Sequence, residues 1–192
     1  MATLHATADP ATPVPVVLVL ASGKGERFLA SGGRGSKLQA PLAGVPVLQH
    51  TLGAVRASGL PWHLEDAGHP GMGDSIAAAV RATRAAGGWL VLPGDLPLVR
   101  PGTLLRVAQA LAEGAEVVVP VFEGRRGHPV AFSAACGDAL AALSGAQGAA
   151  AIVRVHRVTE LAVDDEGTVV DIDTVQALAE AERLLRARLR PG

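Results

Sequence analysis

An apolar run that stops abruptly at a glycine- and cation-rich loop constrains this chain more than any other feature. Residues 16–20 read VVLVL, and residues 21–37 continue as ASGKGERFLASGGRGSK. A short, uninterrupted apolar run predicts a strand that is buried on both faces. Glycines let backbone N–H groups approach phosphate oxygens, and fixed cations neutralise those oxygens. The segment therefore predicts a nucleotide-binding site at the end of a buried strand.

Strand and helix patterns alternate along the rest of the chain. Strands are predicted at residues 16–20, 62–64, 89–92, 117–121, 129–132, 160–163 and 168–171. Helices are predicted around residues 48–58, at residues 103–113, 134–143 and 149–153, and from Thr174 onward. A further helix is predicted with Asp74 and Ser75 as its cap. Repeated strand–loop–helix units predict a Rossmann-like three-layer α/β sandwich with a mostly parallel sheet. Ligands bind at the carboxyl ends of the strands in such sheets, where the loop after Leu20 and the Pro-Gly-Asp turn at residues 93–95 both lie.

Length and charge exclude several classes of protein. The 192 residues suit one domain, which we expect over residues 15–192 after a disordered lead-in at residues 1–14. A net charge of −1 provides no general basic field for nucleic acid, so phosphate binding must be local. The single cysteine, Cys136, excludes an internal disulfide. No cationic signal region or long apolar span is present, so we expect a cytoplasmic protein with no membrane partner.

Three kinds of nucleotide-binding loop compete for residues 20–37. A GxGxxG dinucleotide loop fails at Phe28, which takes the place of the third glycine. A Walker A loop is absent because Lys37 follows Ser36 and precedes Leu38. The third kind, LAxGxGxR followed by a lysine before an apolar segment, matches residues 20–27 and Lys37. A plain glycine turn with solvated cations remains the alternative to this third reading.

Further motifs occur in a fixed order along the chain: GMGDSI at residues 71–76, LPGDLPLV at 92–99, GRRGHPV at 124–130 and DIDT at 171–174. With these motifs, residues 16–185 resemble the MobA-like cytidylyltransferases and guanylyltransferases of the molybdenum cofactor. The resemblance implies a nucleotide-diphospho-sugar transferase fold and Mg²⁺-dependent transfer of CMP from CTP to the phosphate of a molybdopterin-type cofactor, with release of pyrophosphate. Residues 20–23 and 71–75 resemble the cytidylyltransferase branch more closely, and this resemblance implies CTP as the nucleotide. A molybdenum hydroxylase or its chaperone is the implied protein partner.

Two aspartates and two cations are the candidates for the chemistry. Asp95 follows a buried strand and a tight turn, and its carboxylate suits Mg²⁺. The resemblance assigns Asp95 and Asp173 to the metal, with Asp171 in reserve. An Asx turn at Asp95 and an N-cap role for Asp173 are the structural alternatives. Lys37 and Arg27 are candidates for neutralising the triphosphate and the charge of the transition state.

Six further residues are predicted to contact the nucleotide or the acceptor: Leu20, Ala21, Gly23, Gly25, Ser75 and His128. Ser75 serves equally well as a helix cap, and the resemblance places the segment around His128 beside the acceptor. His63 and His69 suggest a metal pair, but their spacing is not that of an i,i+4 helical pair and other ligands are missing. We therefore do not expect a zinc site there.

The chain departs from the family pattern at two places. Residues 59–70 connect a helix directly to GMGDS, so one strand–helix unit is absent and the wall that binds the base is in question. The family pattern GDxGAR reads GAQGAA at residues 145–150, with Ala146 and Ala150 in place of the acid and the arginine. A guanylyltransferase, a sugar- or alcohol-phosphate nucleotidyltransferase, and a non-catalytic cofactor-delivery protein therefore remain as alternatives.

Overall fold

The computed structural model describes residues 13–188 as one mixed sheet with helices on both faces. Its strands are β1 (Val16–Leu20), β2 (Pro41–Leu42), β3 (Val45–Pro46), β4 (Trp62–Glu65), β5 (Gly88–Pro93), β6 (Val117–Phe122), β7 (Arg125–Arg126), β8 (Val130–Ser133) and β9 (Val158–Ala162). Its helices are α1 (Glu26–Ala30), α2 (Val47–Ser58), α3 (Met72–Ala82), α4 (Pro101–Ala112), α5 (Gly137–Ala141), α6 (Ala150–Val155) and α7 (Val175–Arg188). Strands β2 and β3 form a separate antiparallel pair.

The main sheet has the order β4-β1-β5-β8-β6-β7, and β9, which lies off this path, also pairs with β6. Strands β4, β1, β5, β6 and β9 run in one direction, whereas β7 and β8 run in the other. Because β1 lies between two parallel neighbours, its apolar run is buried as predicted. The predicted fold class, a mostly parallel three-layer α/β sandwich, is confirmed.

The core consists of two apolar layers, one on each face of the sheet. Val17 and Val19 of β1 point into the layer beneath α2, α4 and α7, whereas Leu18 points into the layer beneath α3, α5 and α6. All three side chains are fully buried. Alternate residues of a strand face opposite sides of the sheet, so an uninterrupted apolar run serves both layers.

Two predicted local structures are wrong. Helix α3 begins at Met72 with Gly71 as its N-cap, so Asp74 and Ser75 lie inside the first turn. Residues 168–171 do not form a strand, because a 3₁₀ turn over Glu166–Thr168 includes the first of them. In that turn the Asp165 carboxylate accepts the Gly167 N–H at 3.1 Å, and the Thr168 hydroxyl donates to the Asp165 carbonyl at 2.9 Å. These local bonds replace the strand pairing that the apolar residues suggested.

The N-cap alternative for Asp173 is also wrong. Thr174 is the capping side chain of α7, since its hydroxyl accepts the Ala177 N–H at 3.0 Å. The Asp173 carboxylate turns instead toward the carboxyl edge of the sheet, where it bonds Lys37. Capping by the neighbouring threonine therefore leaves this aspartate available for another role.

The predicted lead-in lies outside the described residues except for Pro13 and Val14. The Val14 carbonyl accepts the Gly87 N–H at 3.2 Å, which attaches these residues to the start of β5. Among the described residues, no helix combines the length and the apolar character needed to cross a membrane.

Candidate active site

A cleft of about 590 Å³ opens at the carboxyl ends of β1 and β5. Among its lining residues are eight of those predicted from sequence, namely Leu20, Gly23, Arg27, Lys37, Ser75, Asp95, His128 and Asp173. The two strand ends are in close contact, because Gly94 N–H donates to the Leu20 carbonyl at 2.9 Å. A Cβ on Gly94 would lie 3.0 Å from that carbonyl oxygen, so the turn requires glycine to bring Asp95 beside the first loop.

The other two predicted residues, Ala21 and Gly25, do not line the cleft. Ala21 N–H donates to the Glu65 carbonyl at 2.8 Å and fixes the start of the loop. Gly25 is the N-cap of α1 with φ +64°, a left-handed conformation that favours glycine. Both residues determine the conformation of the loop, and neither of them lines the cleft.

Lys37 joins two carboxylates that are far apart in the sequence. Its Nζ donates to Asp95 Oδ2 at 2.5 Å and to Asp173 Oδ1 at 2.6 Å. The three side chains are only 10%, 14% and 17% exposed. Ile172 N–H donates to the Asp95 carbonyl at 3.0 Å, and this bond holds the DIDT segment against the turn after β5.

Arg27 extends the same network toward solvent. Its Nη2 lies 2.6 Å from Asp173 Oδ2, although the arginine side chain is 78% exposed. We call the network of Lys37, Asp95, Asp173 and Arg27 the charged end of the cleft. It brings together all three predicted catalytic residues and both predicted metal ligands.

The charged groups of the charged end shift one another's pKa values. Burial alone would lower the pKa of Lys37, but the Asp95 and Asp173 carboxylates outweigh it and raise that pKa. Burial would raise the pKa of Asp173, but its bonds to Lys37 and Asp171 and the charge of Arg27 lower it. Burial and the neighbouring Asp173 raise the pKa of Asp171. Of these two aspartates, Asp173 therefore loses its proton at the lower pH, and the two carboxylates favour the charged form of Lys37.

The charged end has the donor set of a magnesium- or manganese-type site. Asp95 Oδ1 is buried without a hydrogen-bond partner, so one carboxylate oxygen is still to be satisfied. Within residues 13–188, no group of three or more His, Cys, Asp or Glu side chains is arranged around a metal position. Mg²⁺ often binds through one or two carboxylates together with substrate phosphates and water. Asp95 and Asp173 fit that mode of binding.

The opposite side of the cleft, here the apolar end, lies beside β4. It is lined by Leu20, Ser22, His69, Pro70 and Met72. Glu65, the last residue of β4, pairs in register with Leu20 and is buried behind this lining. Sequence reasoning missed Glu65, although a carboxylate at the end of a strand next to β1 follows the same logic that identified Asp95.

The Glu65 carboxylate lies within hydrogen-bonding distance of two histidine rings. Its Oε1 accepts the Ala67 N–H at 3.3 Å and lies 3.1 Å from His69 Nε2, and its Oε2 lies 3.5 Å from His63 Nε2. His69 lines the cleft and His63 does not. The sequence analysis considered His63 and His69 only as metal ligands and overlooked the Glu65 carboxylate that lies near both of them.

The third wall of the cleft carries Arg125, Arg126 and His128. His128 N–H donates to the Thr168 carbonyl at 2.9 Å, and Arg126 forms a salt bridge with Glu160 of β9 at 2.7 Å. Burial lowers the pKa of His128, and the negative charge of Asp95 opposes this only in part. The wall therefore presents two exposed arginines beside a half-buried histidine.

The loop that departs from the family pattern lies over the start of α3. Gly145 carbonyl accepts Gly73 N–H at 2.9 Å, and Gly145 N–H donates to Asp74 Oδ2 at 3.0 Å. Ala146 and Ala150 are exposed, and neither lines the cleft. This loop is fixed by bonds from its own backbone to the Gly73 N–H and the Asp74 carboxylate, without the charged side chains of the family pattern.

Paired carboxylates, a lysine and a glycine loop at the carboxyl edge of this sheet define the nucleotidyltransferase class, in the nucleotide-diphospho-sugar transferase fold. Residues 17–161 match the MobA-like NTP transferase domain, and the chain belongs to that family. The family predicted from the ordered motifs is thereby confirmed.

Known proteins agree with this assignment. The chain is 33% identical over 138 residues to the bifunctional protein GlmU of Parvibaculum lavamentivorans. The matched region covers 58% of this chain and 30% of GlmU. It spans less than a third of the length of the curated relatives it matches.

Two solved structures share the fold. Rv0371c of Mycobacterium tuberculosis H37Rv in complex with manganese has a TM-score of 0.69 at 24% identity, covering 88% of this chain and 98% of that chain. Molybdopterin-guanine dinucleotide biosynthesis protein A of Archaeoglobus fulgidus has a TM-score of 0.66 at 19% identity, covering 90% and 99%.

Proposed function

We propose that this chain transfers CMP from CTP to the phosphate of a molybdopterin-type cofactor, with Mg²⁺ as the divalent cation, and releases pyrophosphate. The observation that carries the proposal is the junction of Lys37 with Asp95 and Asp173 beside the glycine loop. Both reactants are anions, so catalysis depends mainly on alignment and on neutralising charge. The charged end supplies cations and carboxylates for this purpose within one cleft.

The chemistry needs no covalent bond to the protein. An oxygen of the acceptor phosphate bonds to the α-phosphorus of CTP, and the bond from that phosphorus to the bridging oxygen of pyrophosphate breaks. Mg²⁺, when bound, withdraws charge from the phosphate oxygens. Asp95 and Asp173 would hold it. Lys37 and Arg27 neutralise the triphosphate and the leaving pyrophosphate.

Different observations support the cation and the acceptor. The manganese complex of the structurally similar Rv0371c supports a divalent cation. The molybdopterin acceptor is supported by the GRRGHPV segment, whose Arg125 and His128 line the wall facing the cleft, and by the similar biosynthesis protein of A. fulgidus. A molybdenum hydroxylase or its chaperone, in the cytoplasm, is proposed as the receiver of the product.

Pyrophosphate release tests the proposal directly. Purified protein is mixed with each of the four NTPs, with Mg²⁺ or Mn²⁺, and with a molybdopterin-type cofactor or a sugar 1-phosphate as acceptor. We expect release that needs CTP, the molybdopterin-type cofactor and the metal together.

Other outcomes select the alternatives. Release with GTP identifies a guanylyltransferase, and release with the sugar phosphate identifies a sugar-phosphate nucleotidyltransferase. Tight binding of the cofactor without release from any NTP would contradict the proposal and favour a delivery protein.

A further inference from the structure

The pair of Glu65 and His69 at the apolar end is a hydrogen-bonded group that the proposed reaction does not use. Glu65 is 7% exposed, and it accepts hydrogen bonds from both a backbone N–H and the His69 ring. A buried carboxylate is costly unless its partners are well placed. Its position therefore fixes the orientation of a histidine that faces the cleft.

The bond to Glu65 determines which atom His69 can offer to a ligand. Glu65 Oε1 accepts the Ala67 N–H, so it acts as an acceptor, and His69 Nε2 must donate to it. Among the hydrogen bonds of the described residues, the His69 side chain takes part only in this one. A neutral imidazole that donates from Nε2 carries a lone pair at Nδ1. In this neutral tautomer, His69 offers a hydrogen-bond acceptor at Nδ1.

The two ends of the cleft match the two ends of a nucleotide. The charged end suits phosphates, whereas Leu20, Pro70 and Met72 form an apolar surface for a flat base. In the sheet order β4-β1-β5, Asp95 follows β5 and Glu65 ends β4, so the two ends lie on opposite sides of β1. A nucleotide with its phosphates at Lys37 would therefore extend its base toward His69.

We propose that His69 accepts a hydrogen bond from the exocyclic amino group of the nucleobase, and that Glu65 is the positioning residue that keeps His69 in the accepting form. The inference rests on the proposed function in that the cleft must hold an NTP. Position 4 of a pyrimidine lies across the ring from the glycosidic nitrogen, so it is the part of the base that reaches farthest into the apolar end. Cytosine carries an amino donor there and uracil a carbonyl acceptor, so His69 favours CTP over UTP.

Equilibrium binding of CTP and UTP in the presence of Mn²⁺, without acceptor, tests this contact. The readout is the ratio of the two dissociation constants for the wild type, His69→Leu and Glu65→Gln. We expect the wild type to favour CTP and His69→Leu to reduce the preference about tenfold, the value of one hydrogen bond to a base edge. The ratio is independent of the folded fraction, because both nucleotides are titrated into the same preparation.

His63→Leu is the matched control, because His63 contacts the same carboxylate but does not line the cleft. We expect this variant to keep the wild-type ratio. For Glu65→Gln, we expect a weaker CTP preference together with loss of the Nε2–H form of His69 in ¹⁵N NMR spectra. A merely structural role for Glu65 would lower the affinity for both nucleotides equally.

The outcomes separate this inference from the proposed function. A wild type without CTP preference, or a ratio unchanged in His69→Leu, overturns the role of His69. Nucleotide binding with the expected ratios but no pyrophosphate release overturns the proposed reaction and leaves His69 as a base-binding residue.

Discussion

The two ends of the cleft are built in different ways. The charged end joins Lys37, Asp95 and Asp173, whose bonds span 58 and 136 positions in the sequence. The apolar end is more local, because Glu65, His69 and Met72 lie within eight residues, and Leu20 and Ser22 come from the neighbouring strand β1 and its loop. The charged end depends on distant segments to bring opposite charges together, whereas the apolar end depends on two adjacent strands and the loops that follow them. Substitutions at one end should therefore leave the other intact.

Asp95→Asn should have the largest effect. It removes a charged ligand oxygen from the proposed metal site, and we expect turnover to fall on the order of a thousandfold. The fold should persist, because Asp95 lies in a turn at the edge of the core. Pyrophosphate release measures the first effect, and thermal unfolding measures the second.

Asp164→Asn is the control for Asp95→Asn, since Asp164 is exposed and does not line the cleft. Its turnover should equal that of the wild type. The CTP-to-UTP binding ratio of Asp95→Asn should also be unchanged, because the apolar end is untouched. Full metal-dependent activity in Asp95→Asn would rule out the assignment of this carboxylate.

Lys37→Met should change two measurements in opposite directions. Turnover should fall roughly a hundredfold, because a cation facing the triphosphate is lost. Mn²⁺ binding without nucleotide should tighten roughly tenfold, because the Lys37 ammonium no longer neutralises the two carboxylates. Electron paramagnetic resonance of free Mn²⁺ measures the affinity.

Lys24→Met provides the comparison for Lys37→Met. Lys24 lines the same cleft, but it has no salt bridge among those of the described residues. Its removal should leave Mn²⁺ affinity unchanged. Equal tightening in both variants would mean that general positive charge, and not contact with the carboxylates, controls metal binding.

The contrast between the two ends also explains what could be predicted from sequence. Apolar runs and ordered motifs predicted the sheet and the charged end, because a strand end followed by glycine or aspartate has a defined place in a parallel sheet. Glu65 was missed because no motif marks it, and its importance depends on the register of β4 against β1. The failed strand at residues 168–171 has a similar cause, since the bonds made by the Asp165 carboxylate and the Thr168 hydroxyl decided that local structure.

Arg27→Ala should have a smaller effect than either change above. The side chain is 78% exposed, so its salt bridge to Asp173 contributes at most about 1 kcal/mol to the free energy of unfolding. We expect stability to be unchanged within error and turnover to fall about tenfold, since phosphates still meet Lys37. Chemical denaturation and pyrophosphate release measure the two quantities, and a loss of turnover as large as that of Asp95→Asn would place Arg27 at the centre of the charged end.

His128→Gln should have the smallest effect, visible only in the pH dependence of stability. Burial lowers the pKa of His128 below its ordinary value of 6.5, and Asp95 opposes this in part. Below pH 6.5 the unfolded chain therefore binds a proton that the folded protein does not, and stability is lost as the pH falls toward the folded pKa. Above pH 6.5 both states are neutral at this residue, and the loss disappears.

The free energy of unfolding of the wild type should fall more steeply between pH 6.5 and 5 than that of His128→Gln. The difference in slope is at most about 1.4 kcal/mol per pH unit, the limit for one proton. His63→Gln serves as the control for removal of a histidine outside the cleft. Parallel pH profiles for the wild type and His128→Gln would show that folding does not change the proton affinity of His128. A flatter profile for His128→Gln would show instead that the folded protein disfavours the protonated form of His128.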